Sequence, residues 1–428
     1  MIQDFSELFR VCAGTAIIFL TLFLFYRKHI LHLFDPLLYF IIAQSFSIEL
    51  GFLIIDDPSY LINFLVCQLF FLLGFFGFVG TSLKKEELQK SKFFPTTDEL
   101  NLSVIKWYSI IGLTIIIIAN LILIKINGIA LFSDDPSAAK VNNFTEGGGL
   151  GIIRRMNWGM LYLIGLSLIM LYMIRKNIQY VLLFILLLVV PALSGSKGAL
   201  LYFIFAVTLL SCYKDIKSSA SFSRLRVGSY ALLGFAIFLS GIIVSGGNNG
   251  EGFTDKLFKL ATRFLYFGDS IIYYYNQDSV QYFAKYNATD FIKDELNPIL
   301  GFFRVVPYQQ PMGFRLINHY FNIDSQTFGP NTPYYVKGNI YFGYYGAFVY
   351  SFVVGAAIGF VRNRFYAIIR KGSSVLYSIL ILHLNLVIYT LAQDSQLFTS
   401  VLFDTFIISI PVFVVSTYLH FSKKESLA

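Results

Sequence analysis

Charge is what this sequence has least of. Asp, Glu, Lys and Arg make up 14% of its 428 residues, against about 25% in ordinary soluble domains. With 56% hydrophobic residues and a mean hydropathy of +0.66, the chain cannot cover itself with polar surface. That excludes the soluble globular class and points to an integral membrane protein. Cysteine is scarce too. Cys12, Cys67 and Cys212 all fall in apolar segments, so no disulfide framework is expected and the redox compartment stays unread. The sequence has no Walker A loop, no HExxH, no CxxC and no paired His/Cys ligand spacing. ATP hydrolysis and zinc are therefore poorly supported, and neither metal nor cofactor is expected. The opening "MIQDFSELFR" carries Asp4 and Glu7 where a secretory signal would be basic, and no small-residue cleavage pattern follows, so the first apolar run is expected to remain in the mature protein. No internal repeat and no pair of inverted halves is visible, which weakens a transporter reading.

What the chain has in abundance is long apolar runs. Spans near the ~20 residues that cross a bilayer can be drawn at 9–26, 34–55, 60–82, 104–124, 156–174, 179–194, 198–213, 227–245, 338–361, 373–391 and 397–420. The expected fold is all-α: one integral membrane domain over residues 1–428, a polytopic helical bundle of about eleven transmembrane helices. Alternate connections hold the basic clusters Arg27–Lys28, Lys84–Lys92, Arg175–Lys176, Lys214–Arg226, Arg362–Lys371 and Lys423–Lys424, which marks that side as cytoplasmic. The opposite short loops, "DDPSY" and "AQDSQ", contain no Lys or Arg. The amino terminus is thus expected outside and the carboxyl terminus in the cytoplasm. The formal charge of +8 follows from this topology and does not call for nucleic acid. Most of the 46 Phe and 28 Tyr are assigned to interface belts and core. Two outer connections are long, a first loop at 125–155 and a second at 246–337, and function is expected there.

Three stretches carry candidate chemistry. In "VVPALSGSKGALLYF" (189–203), a lysine interrupts an apolar run that is too long for one helix. Two short helices of ~22 Å each, against a hydrocarbon core of ~30 Å, would inset the turn "SGSKG" at the outer leaflet. Lys197 would then lie near phosphate depth, either snorkelling at an ordinary hairpin or binding the phosphates of a lipid-linked substrate. In the second loop, "FTDKLFKLATRFLYFGDSIIYYY" (253–275) sorts at 100° per residue into an apolar arc and a polar one holding Lys259, Arg263 and Asp269. It is expected to be an amphipathic helix in the interface, its polar arc either solvated or lining a catalytic vestibule. Further on, "NPILGFFRVVPYQQPMGFRLINHYF" (297–321) contains Arg304, Arg315 and His319 and no carboxylate, although the whole loop balances eight basic with eight acidic residues. A helical turn after Pro311 would set Arg315 and His319 four residues apart on one face, suited to phosphate binding and proton transfer; a structural hydrogen bond is the competing role for His319.

Two of these regions look familiar. "ALSGSKGALL" (192–201) resembles the small-residue and basic turn of O-antigen polymerases and ligases, commonly with Arg where this chain has Lys197. "GPNTPYYVKGNIYFGYYGAFVYSFVVGAAIGF" (329–360) resembles the entry to the late helix of bacterial oligosaccharide repeat-unit polymerases of the Wzy type. The resemblance implies a GT-C-like membrane glycosyltransferase of the cytoplasmic (inner) membrane, partnered by undecaprenyl-diphosphate-linked oligosaccharide, membrane lipid and a chain-length regulator. It also implicates basic residues of the outer loops, often in an Arg-x10-Gly spacing, which Arg154 and Gly165 reproduce. The second loop has no such spacing, and Lys197 replaces a bidentate fork by a point charge. The reaction expected is attack of a sugar hydroxyl on the anomeric carbon of a lipid-linked chain, with Lys197, Arg154, Arg155, Arg263, Arg304 and Arg315 on the departing diphosphate. His319 is the first choice and Asp269 the second as proton acceptor. An O-antigen ligase, or a lipid-linked oligosaccharide flippase or other transporter, remains the alternative.

Overall fold

A computed structural model describes residues 5–90, 99–129, 151–193, 197–213, 217, 220–245, 268–307, 309–322 and 329–425. No strand occurs among the described residues. In chain order the helices are α1 (Phe5–Tyr26), α2 (Pro36–Ile54), α3 (Pro58–Phe78), α4 (Lys85–Lys90), α5 (Glu99–Asn127), α6 (Gly151–Arg175), α7 (Ile178–Leu193), α8 (Lys197–Leu210), α9 (Ala220–Ser245), α10 (Ser270–Tyr274), α11 (Gln277–Phe283), α12 (Ala288–Phe302), α13 (Met312–Phe321), α14 (Tyr334–Lys371), α15 (Val375–Val387), α16 (Thr390–Gln393) and α17 (Ser395–Glu425). The spans drawn from the sequence fall on helices, with 373–391 divided between α15 and α16. Among the described residues, eight helices are long and apolar enough to cross a membrane, and two shorter apolar stretches, Ile178–Val190 and Leu200–Leu210, lie in α7 and α8. This is the architecture of a multi-pass helical membrane protein.

Local chemistry explains several boundaries. α2 and α3 both open on Asp-Pro: Asp35 accepts from the Leu37 amide at 3.0 Å and Asp57 from the Ser59 amide at 2.7 Å, while Pro36 and Pro58 occupy the position where a missing N–H does no harm. The amphipathic helix expected at 253–275 lies outside the described residues up to 267, and only the short α10 is seen at its end.

The chain divides into two compact units, each assembled from discontinuous segments. The first comprises residues 1–83, 253–364 and 387–400. In it α3 and α14 touch backbone to backbone: a Cβ added at Gly355 would lie 2.1 Å from the Phe71 carbonyl oxygen, and one at Gly359 would lie 2.4 Å from that of Phe75. Only glycine permits this approach, the usual way for membrane helices to gain packing where apolar surface alone gives no drive. α14 is not one rod. Gly343 has φ 68 and ψ −174, a conformation closed to other residues, and a Cβ on Gly338 would lie 3.0 Å from Cα of Ala347, whereas nine residues of straight helix would separate the two by ~13 Å. Residues 334–342 therefore double back as a half-helix against the long remainder. Tyr334 stacks on Phe71 midway along α3 (centroids 4.6 Å, 18°), and Tyr344 donates to the Ser59 carbonyl at the start of α3 (3.3 Å). The half-helix is thus re-entrant, with its amino end deepest.

At the other end of α14 the structure corrects one assignment. Arg362, counted above among the basic residues of a cytoplasmic connection, is fully buried inside a helix that continues to Lys371. It pairs with the equally buried Asp35 and donates to the His29 carbonyl at 2.9 Å. A charge at this position is stable only with such a partner, so here it reports core packing and not topology.

The second unit comprises residues 84–252, 365–386 and 401–428. Polar side chains join its apolar helices: Asn120 and Asn157 exchange hydrogen bonds of 2.6 and 3.0 Å, Tyr108 meets Ser409 at 2.9 Å, and Tyr202 meets His383 Nδ1 at 2.8 Å. These are the interhelical contacts that polar groups in membrane helices commonly make.

Candidate functional site

The residues singled out in the sequence scatter. Arg263 lies outside the described residues, as do the side chains of Arg154 and Lys197, whose backbones sit in α6 and at the start of α8. Arg155 belongs to the second unit and forms an ion pair with Asp404 of α17. Asp269, Arg304, Arg315 and His319 belong to the first unit. There Arg315 and His319 do share one face of α13, against the segment that follows α10. His319 stacks on Tyr282 (centroids 3.9 Å, 13°) and meets Phe283 edge-on (5.5 Å, 86°), and the Arg315 guanidinium lies 5.7 Å from the Tyr286 ring centre. Lys285 Nζ is 3.6 Å from the centre of the Tyr282 ring. Imidazole and ammonium cannot both occupy one face of that ring at such distances, so the tyrosine is sandwiched between them.

Neither basic group is without a carboxylate. His319 Nε2 lies 3.1 Å from Asp278 Oδ2, close enough for an ion pair but out of line for a hydrogen bond, and the Asp278 side chain is 89% exposed. Arg315 makes a bidentate pair with Asp294, both bonds 2.9 Å, and also donates to Gln309 at 3.2 Å. Burial works against the Arg315 charge, but the bonds and charge of Asp294 outweigh it and hold its pKa above the ordinary value. Arg304 has no ion-pair partner among the described residues; it is exposed and adopts a left-handed φ of 56. Asp269 is half-buried at the start of α10, and burial raises its pKa to about 7 against the opposing bonds from the amides of Ser270 and of Asp269 itself.

The densest polar cluster of the first unit was not read from the sequence. Lys337, 1% exposed on the re-entrant half-helix, donates to Glu295 Oε1 at 2.7 Å and to Ser395 Oγ at 2.9 Å, and lies 3.6 Å from Asp394 Oδ1. Ser395 and Thr399 of α17 donate to the two oxygens of Glu295 at 2.6 and 3.1 Å, and Tyr350 donates to Ser395 at 3.1 Å. One residue before Glu295, Asp294 receives Tyr341 as well as Arg315. Three carboxylates thus meet two cations. The third, Asp394, also accepts from the amides of Gln396 (3.0 Å) and Leu397 (3.2 Å), so the positive end of α17 supplies the missing compensation. The available signal was the Asp-Ser helix start in "AQDSQ" and the lone lysine opening an apolar run in "YYVKGN".

The second unit contains an apolar cleft of about 590 Å³ among Tyr108, Leu163, Ile379, Ser409, Phe413 and Tyr418. Among the described residues no group of three His, Cys, Asp or Glu is placed to hold a metal ion. No protein-family model, curated protein or solved structure matches the chain.

Proposed function

We propose that this protein polymerises undecaprenyl-diphosphate-linked oligosaccharide repeat units into surface polysaccharide outside the cytoplasmic membrane. The observation that carries this reading is the ledge on which Arg315 and His319 share one helix face beside exposed tyrosines, in a chain whose "ALSGSKGALL" and "GPNTPYY" stretches resemble the Wzy-type polymerases. The hydroxyl oxygen of an acceptor sugar forms a bond to the anomeric carbon of the donor. The bond from that carbon to the diphosphate oxygen breaks, its electron pair leaves with the diphosphate, and the hydroxyl proton passes to His319, with Asp278 beside the imidazole. Arg304, exposed and without an ion pair among the described residues, is the first candidate to meet the leaving group. Lys197 is next, with Arg154 and Arg263 behind it, whereas Arg155 is engaged by Asp404. Arg315 is committed to Asp294, so its role is to shape the ledge.

The test is elongation of purified lipid-linked repeat units by reconstituted protein at matched levels. His319→Ala is expected to lose roughly 100-fold or more with substrate binding preserved; near-normal elongation returns His319 to a structural role and makes Asp269 the next residue to examine. A transporter is the second reading, favoured by one observation: two interrupted helices, at Gly343 and over 388–394, meet around buried Lys337, the kind of broken segment from which transporter sites are made. A deletion strain separates the readings. Surface glycan capped at one repeat unit indicates the polymerase, unattached polymer on lipid the ligase, and substrate accumulating on the cytoplasmic face the transporter.

A further inference from the structure

We infer that the amino end of the re-entrant half-helix binds one water molecule, held by Gln44 as a structural ligand of the first unit. A cavity of about 20 Å³ lies there, its apolar walls Phe40, Ala43, Pro333 and Ala392 and its polar ones Gln44, Ser47, Tyr334, Tyr335 and Gln393; roughly 10–15 Å³ of such space accommodates one water. Unsatisfied polar groups of two independent kinds border it, the backbone of Tyr334 and Tyr335 and the Gln44 side chain. The first is the helix end itself. Pro333 has no N–H, and the first backbone bond of the half-helix runs from the Lys337 amide to the Pro333 carbonyl at 2.9 Å, so the amides of Tyr334, Tyr335 and Val336 find no acceptor among the described residues. An amino end in a watery loop would be solvated. This one stands beside the middle of α3, where Tyr334 stacks on Phe71.

The second set is a pair of amides. Gln44 and Gln68 are each 5% exposed. Gln44 Nε2 donates to Gln68 Oε1 at 3.0 Å and to the Tyr334 hydroxyl at 3.3 Å, and that hydroxyl donates to Gln68 Oε1. Gln44 Oε1 and Gln68 Nε2 are left without a partner. Interchanging oxygen and nitrogen in both amides moves the free acceptor to Gln68 and leaves Gln44 a free donor, which water, donor and acceptor at once, also satisfies.

The chemistry selects water over an ion. A cation would face the positive end of a helix with no carboxylate among the walls. A phosphate is too large for the space, and no Lys, Arg or His stands among the walls to hold an anion. Water accepts from a free amide and donates to Gln44 in the same position, with the two to four partners that buried waters usually have.

A density map of the full-length protein, at a resolution that shows ordered waters elsewhere in it, should contain one peak about 2.7–3.2 Å from the Gln44 amide group and from a Tyr334 or Tyr335 nitrogen. Gln44→Leu should abolish the peak and speed amide exchange at residues 334–336 by about tenfold, the weight of one net hydrogen bond. Ala43→Val should do the same by filling the space while leaving every polar group in place, and it carries the test if Gln44→Leu does not fold. A dry cavity in the wild-type map, a peak that vanishes when sodium is withdrawn, or unchanged exchange in the variants would overturn the proposal.

Discussion

Arg304 shows how much a single residue can separate stability from function. The carboxyl end of α12 closes with the Val305 amide bonded to the Leu300 carbonyl at 2.9 Å and the Arg304 amide to that of Gly301 at 3.1 Å, a turn that places residue 304 in the left-handed region where glycine is normally found. An arginine held there without an ion pair among the described residues is a strained position in search of a reason. Arg304→Gly should therefore stabilise the protein by about 1 kcal/mol in a thermal-unfolding measurement while lowering elongation; a variant that is more stable and equally active removes Arg304 from the diphosphate site. Asp269 makes a prediction in pH. Its folded pKa of about 7 stands above the ordinary 3.8, so the folded state holds its proton more tightly than the unfolded one. The stability this contributes is fully present below about pH 4 and is lost as pH rises through about 7. Asp269→Asn should flatten that part of the unfolding-temperature profile, and an unchanged slope would show that some other group produces it. Neither property could be read from the sequence, because a backbone dihedral and a desolvated carboxyl are consequences of packing.

At the scale of elements, legibility followed the range of the interaction. Apolar runs are local, so helices were found where hydropathy placed them, and the short pair α7 and α8 was expected from length alone. The fold-back at Gly343 was not, since 338–361 reads as one continuous apolar run and nothing in its periodicity marks a positive φ. The site was hidden for the same reason. The stretch 297–321 contains no carboxylate, yet Arg315 finds Asp294 and His319 finds Asp278 from helices just upstream; sequence-local charge balance says little about charge balance in space. Small residues in "VVGAAIGF" were a legible packing signal whose partner only the structure supplies, the backbone of α3 at Phe71 and Phe75. Gly355→Leu should force the two helices apart and destabilise the first unit by ~3 kcal/mol, whereas Val353→Leu, at a side chain 54% exposed, should be close to neutral. Equal unfolding temperatures for the two variants in detergent would contradict the close crossing.

For the whole molecule, everything proposed about the reaction depends on which side of the membrane the segment 268–322 faces, and charge distribution is the only guide to it. Without buried Arg362 the cytoplasmic set is still basic, because Arg364, Arg370 and Lys371 follow it and the other alternate connections keep their lysines and arginines. With "DDPSY" and "AQDSQ" free of both, the asymmetry on which the proposal of an outer second loop rests is kept. In a background where Cys12, Cys67 and Cys212 are replaced by serine, cysteines at Gln281, exposed on α11, and at Ser137 in the first loop should react with an impermeant maleimide in intact spheroplasts. One at Lys217 should react only after lysis. The proposed reaction takes place on the outer face, so the reverse labelling pattern would put the Arg315–His319 ledge on the wrong side for it. The polymerase reading would then fail, while the paired helix breaks at Gly343 and 388–394 would become the part of the molecule to explain.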